Sequence, residues 1–188
     1  MSRTLPLFPL HTVLFPGGRL ELRIFEPRYL DMVRDCIRDD SGFGVCLIRE
    51  GSEAGTPASF ADIGTSARVV DWAQRPDGLL GITAVGERRF RVLGSRAQPD
   101  NLVLGDVEWL AEPPPADIGP EHAWLGGFLP EGTLPAEDAS ALVFRVAESI
   151  ALPSAFRQEL LEVDAPLARL AKIERMLRPF LADGSRRG

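Results

Sequence analysis

The feature that most constrains this chain is a change of hydrophobic period at one place. Upstream of residues 112–120, apolar side chains mainly alternate with polar ones; downstream they recur at helical spacing. The stretch between holds Pro113, Pro114 and Pro115 in a row and ends on Pro120. Consecutive prolines favour stiff extended chain and continue neither a sheet nor a helix, so the stretch reads as a linker. The division expected is a β-rich subdomain over residues 1–111, a linker over 112–120 and a helical bundle over 121–188, an α+β organisation.

The alternation is clearest in Arg19-Leu20-Glu21-Leu22-Arg23-Ile24, where leucine and isoleucine share one face and the charges share the other. Further strand-forming stretches are 43–49, 65–74, 79–85, 88–96 and 102–109. Pro76-Asp77-Gly78 and Pro99-Asp100-Asn101 read as hairpin turns, because proline presets φ while Asp, Asn or Gly tolerates left-handed backbone. As an open sheet, a handful of short strands would leave exposed edges, so a small antiparallel barrel is the expected solution.

One early helix begins at Pro27, with Glu26 and Asp31 near its positive end and Leu30, Val33 and Ile37 as its apolar stripe. Gly42 is expected to end it. Downstream, helices are expected over 121–129, 137–150, 153–163 and 165–182, with Ser154 or Asp164 as caps. The last carries Leu167, Leu170, Ile173, Leu177 and Leu181 at helical spacing.

No catalytic signature is complete in the sequence. A phosphate-gripping loop needs glycine-rich backbone followed by Lys and Ser or Thr, and the single lysine, Lys172, sits in a helical segment. Neither that loop nor a Ser–Lys peptidase dyad can be assembled around it. Gly42-Phe43-Gly44 lacks the third glycine of a dinucleotide fingerprint, and Gly64-Thr65-Ser66-Ala67-Arg68 ends in arginine where a nucleophile elbow needs glycine. His11 and His122 are far apart in sequence and have no Cys or His at ligand spacing. Asp35, Asp39 and Asp40 read as a solvated helix end, and Cys36 and Cys46 as buried thiols. No catalytic residue, metal or cofactor is expected, and the chain is read as a non-enzyme.

A formal charge of −6 disfavours long-range attraction to nucleic acid. Arg88-Arg89-Phe90-Arg91 with Trp72 and Trp109 would suit base stacking. Alternation of Phe90 and Val92 against Arg89 and Arg91 fits an ordinary half-buried strand equally well. Pro6, Pro9, His11 and Pro16 interrupt the apolar N-terminus, and nothing approaches the ~20 apolar residues of a membrane span. A cytoplasmic protein with no membrane partner is expected.

Leu5-Pro6-Leu7-Phe8-Pro9, Phe15-Pro16-Gly17-Gly18 and Phe25-Glu26-Pro27-Arg28-Tyr29 together resemble the start of the substrate-binding domain of Lon-type ATP-dependent proteases. The segments at 39–44, 63–65, 76–78 and 86–90 follow in the order expected for that domain, and the resemblance covers about residues 5–181. It implies a PUA-like β-barrel followed by a helical bundle. It also implies a non-catalytic module that recognises unfolded or degron-bearing polypeptides or mediates contacts in a homo-oligomer. A full Lon protease continues into an ATPase and a peptidase; this chain is expected to act without them, as an adaptor in protein degradation or quality control, alongside a Lon-type protease. The expected contact residues are Arg28, Tyr29, Trp72 and Trp109, on a barrel edge or a cleft between barrel and bundle. The rival reading is an RNA-binding module of the same barrel type.

Overall fold

The longest strand, β6 (Leu80–Ala97), organises the first half of the molecule, because it pairs with three other strands. The computed structural model describes residues 3–53 and 59–184, with side chains through residue 180. It divides into two units, Met1–Ala111 and Glu112–Gly188. The first unit runs β1 (Arg3–Leu10), β2 (Arg19–Ile24), α1 (Pro27–Arg38), β3 (Phe43–Glu50), β4 (Ser59–Phe60), β5 (Ile63–Gln74), β6 and β7 (Val103–Trp109).

The pairings close on themselves, from β1 to β7, β6, β5 and β3 and back to β1. The result is not a clean antiparallel barrel. The closing β1–β3 pair is parallel, β4 pairs only with β3 among the described residues, and β2 lies off the ring on β6. Strand β1 runs through Pro6 and Pro9, and no strand was expected there. Pro6 sits in the half of β1 that pairs with β7, and Pro9 in the half that pairs with β3. Each half has a strand on one side alone, where a missing N–H is tolerated.

Sequence alternation suggested separate strands at 79–85 and 88–96, whereas β6 is continuous. Gly86 stands between them, and a Cβ there would lie 2.2 Å from the Phe15 carbonyl oxygen. A bare backbone lets the 15–18 turn lie against β6 without breaking it. Both predicted hairpin turns are present. The Arg75 N–H donates to the Leu79 carbonyl at 2.8 Å with Gly78 at φ +81°, and the Gln98 N–H donates to the Leu102 carbonyl at 2.8 Å with Asn101 at φ +67°.

Helix α1 buries Arg28, Tyr29, Met32, Val33 and Cys36, an i, i+4 stripe that packs on Phe8, Phe43, Val45, Ile82 and Ala84. Ile37, expected on that face, is exposed. The helix ends before Gly42, because Asp40 takes the left-handed position at φ +45° and the Ser41 N–H returns to the Cys36 carbonyl. Gly42 answers a different need: a Cβ there would meet the Ala67 oxygen at 2.6 Å. A second cluster, Leu5, Leu7, Cys46, Phe90, Val103 and Val107, fills the other part of this unit. Cys36 and Cys46 are buried free thiols.

The second unit holds a 3-10 helix (Pro120–Phe128), α2 (Ala139–Ser149), α3 (Ser154–Glu162) and α4 (Pro166–Gly184). An α-helix was expected over 121–129. Gly126 and Gly127 weaken α-helical propensity there, and the tighter turn takes its place. Asp138 caps α2, accepting from the Ala141 N–H at 2.9 Å. In α4, Leu170, Ile173 and Leu177 are buried while Leu167 is exposed; the side chain of Leu181 lies outside the described residues. Arg169 is fully buried. Its guanidinium donates to the Leu160 and Val163 carbonyls at the end of α3 and to Ser140 Oγ, and lies 4.5 Å over the Phe144 ring. No described helix is long and apolar enough to cross a membrane.

Candidate recognition surface

Outside the ring, β2, the first half of β6 and the second half of β5 form a three-stranded flange. Its rungs are Glu21–Thr83–Asp71, Leu22–Ile82–Trp72 and Arg23–Gly81–Ala73. The turn Phe15-Pro16-Gly17-Gly18 builds its near end. The Gly18 N–H bonds to the Phe15 carbonyl at 3.0 Å, with Pro16 at the first central position and Gly17, at φ +79°, at the second, the geometry of a type II turn. Gly17 then donates to the Gly86 carbonyl, and Gly86 donates to the Gly18 carbonyl. This is a glycine bulge, which twists β2 and fixes its register on β6.

The flange carries apolar surface that is left outside the core. Trp72 is 59% exposed, Val70 50%, and Phe25, directly after β2, 61%. Val70 sits at a break in the β5–β6 register between Val69 and Asp71, so it stands out of the ladder. A shallow groove of about 400 Å³ lies here, lined by Glu21, Arg23, Asp71, Trp72, Arg75 and Thr83. Asp77 anchors the hairpin tip. The Leu79 N–H and the Arg23 guanidinium hold its carboxyl below the ordinary carboxylate range.

The four residues expected at a binding surface fall in three places. Arg28 and Tyr29 are 5% and 3% exposed and sit together at the corner between β2 and α1. The Tyr29 ring stacks on Phe8 with centroids 3.9 Å apart, and the Arg28 guanidinium lies 4.5 Å over it. Arg28 also donates to the Asn101 carbonyl at 2.7 Å and pairs with Glu26 at 2.8 Å. Burial pushes the Tyr29 phenol up to about 12; Arg28 opposes that rise, and Glu26 and Glu53 add to it.

Trp109 lies elsewhere, in a groove of about 820 Å³ with Arg3, Asp40, Arg68, Glu87 and Arg88. Its ring meets Phe90 edge-on and carries the Arg88 guanidinium 5.0 Å above it. Arg68 in the same groove is held by Glu87 at 2.6 Å and Asp40 at 2.9 Å. The run Arg88 to Arg91 does not present one basic face: Arg89 is fully buried beside Phe90, while Arg88 and Arg91 are exposed. Arg89 keeps its place in the ladder opposite the buried Thr65, so it and Phe90 point to opposite faces of β6 and both faces are covered there. Trp72 alone of the four combines high exposure with the flange. Sequence reasoning missed Phe25 and Val70, since nothing in an isolated apolar residue tells exposed from buried.

Among the described residues no group of His, Cys, Asp and Glu is placed to hold a metal ion. These features define a mostly antiparallel sheet, closed on itself, with a flange whose Val70 and Trp72 are exposed. Residues 4–122 match the ATP-dependent protease La (LON) substrate-binding domain family, and the chain belongs to that family. The crystal structure of Lon N-terminal domain protein from Xanthomonas campestris superposes with a TM-score of 0.77 at 41% identity, covering 94% of this chain and 98% of that one. The N-terminal domain of Mycobacterium avium complex Lon protease shares the fold, with a TM-score of 0.64 at 15% identity over 92% of this chain and 97% of that one. Protein cereblon of Danio rerio is 32% identical over 114 residues, 58% of this chain and 26% of its own length. Lon protease 2 of Myxococcus xanthus is 32% identical over 95 residues, 50% of this chain and 12% of its own length. The chain thus spans about a quarter or less of these two curated relatives.

Proposed function

We propose that this chain binds unfolded or degron-bearing polypeptide on the β2–β6–β5 flange, as a non-catalytic adaptor that presents substrates to a Lon-type protease. The observation that carries the reading is the flange itself. Val70 and Trp72 offer apolar contact on a sheet with main-chain groups at its margins, the chemistry that suits extended chain of varied sequence. Membership of the substrate-binding family supports it, and so does the region shared with Lon protease 2. Trp72 acts as the anchor, since a large aromatic at an otherwise shallow site contributes most of the contact energy. Arg28 and Tyr29 serve from beneath by fixing the corner between β2 and α1, and Trp109 forms a secondary contact.

The test is fluorescence anisotropy with reduced, carbamidomethylated α-lactalbumin, a polypeptide that cannot refold. Saturable binding on the order of 10 μM is expected. Trp72→Ala raises Kd about tenfold or more, and Trp109→Ala changes it by less than about threefold. Equal affinities for the wild type and Trp72→Ala would remove Trp72 from the site.

A further inference from the structure

The free edge of β2 is complementary to itself, and we infer that it pairs antiparallel with the same edge of a second copy of this chain. The glycine bulge sets which main-chain groups face outward. Gly86 donates to the Gly18 carbonyl, so even-numbered residues up to Ile24 turn their N–H and C=O toward β6. Arg19, Glu21 and Arg23 turn theirs away. Among the described residues β2 pairs with β6 alone, and these outward groups take part in no other hydrogen bond. An edge of this kind is a template for another strand.

Charge then selects the occupant and the register. Side chains of Arg19, Glu21 and Arg23 are exposed and alternate in sign, while Leu20 and Leu22 are half-buried and Ile24 buried on the opposite face. Two copies centred on Glu21 would oppose Glu21 to itself and Arg19 to Arg23, and like charges directly opposite repel. Centring on Leu20 reaches only residues 18–22, sets Gly18, which has no side chain, opposite Leu22, and stops there because the left-handed Gly17 ends the extended run.

Centring on Leu22 overlaps residues 20–24 and satisfies every requirement. Glu21 of each copy stands opposite Arg23 of the other, and the outward main-chain groups of these same residues form the hydrogen-bonded rungs. Leu22 meets Leu22, Leu20 meets Ile24, and Arg19 comes alongside the exposed Phe25. The contact is isologous and closes at two copies. Buried area limited to one strand pair gives a weak, reversible dimer. The pairing does not rest on the proposed polypeptide reading, although Glu21 and Arg23 also line the Trp72 groove and the two draw on the same part of the flange.

Sedimentation equilibrium up to about 1 mM reads the assembly directly, and a dimer Kd on the order of 100 μM is expected. Glu21→Arg weakens it at least tenfold, Glu21→Arg combined with Arg23→Glu restores it to within about threefold, and Arg19→Glu leaves it within about threefold. Because Arg23 also pairs with Asp77, a second variant checks the register without touching charge. Leu22→Cys forms an intermolecular disulfide under mild oxidation, since opposed Leu22 positions are a close, non-hydrogen-bonded pair. A wild type that stays monomeric, a charge swap without rescue, or a crosslink through Leu20→Cys in place of Leu22→Cys overturns the inference. Loss of polypeptide binding in the Glu21→Arg variant of a monomeric wild type would hand the edge to polypeptide.

Discussion

At the scale of the residue, the clearest consequence of burial concerns Tyr29, the one tyrosine in the chain. Its phenol is enclosed between Phe8 and the β2–α1 corner, and desolvation raises its pKa to about 12 from an ordinary 10. The folded state therefore favours the protonated form. The stability this contributes is fully present below pH 10 and is lost as pH rises through 10 toward 12. Because no second tyrosine contributes, absorbance of tyrosinate near 295 nm follows this group directly. The expected midpoint lies near 12 while the fold persists; a midpoint near 10 with circular dichroism unchanged would contradict the buried placement. Residue-scale reading of the sequence found the buried cysteines and the two hairpin turns, whose chemistry is local. It misplaced Ile37 and Leu167, because periodicity gives a stripe and not which edge of the stripe meets the core.

At the scale of the element, Gly86 joins two halves of β6 and receives the 15–18 turn. Gly86→Ala sets a Cβ against a backbone oxygen at 2.2 Å, and backbone cannot step aside cheaply. A loss of about 2–3 kcal/mol in denaturant unfolding is expected, with β2 loosened most. Gly94→Ala is the control, since nothing lies within 4 Å of a Cβ there; a change within about 0.5 kcal/mol is expected. Equal effects at both positions would show that the turn does not dock as described. The strand–turn–strand grammar of β2, β5 and β7 was legible because it rests on alternation and turn residues, whereas β6 was read as two strands. β1 was hidden by its prolines, which are tolerated only because each half of that strand has one neighbour, a property of the pairing and not of the sequence. The two-residue β4 is too short to show any period.

At the scale of the whole molecule, the motifs near the N-terminus identified the family, and the antiparallel sheet and the helical second half follow from the change of period. The candidate surface was legible only in part. Trp72 is visible in the sequence as an aromatic in a strand, but its exposure depends on β5 outrunning β3, with which it pairs only at residues 65–67. Beyond that point the strand leaves the ring, and apart from Val69, which packs against the core, its side chains are exposed. The flange, the family membership and the apolar exposure converge on one claim, that this surface holds extended polypeptide. Hydrogen–deuterium exchange of the protein, with and without saturating carbamidomethylated α-lactalbumin, tests it most directly. Slowed exchange strongest over residues 68–74 and 80–85, with at most a smaller effect at the 3–6 and 39–42 segments of the groove that holds Trp109, is the predicted result. Protection confined to the second groove, or none anywhere at saturation, would contradict the account.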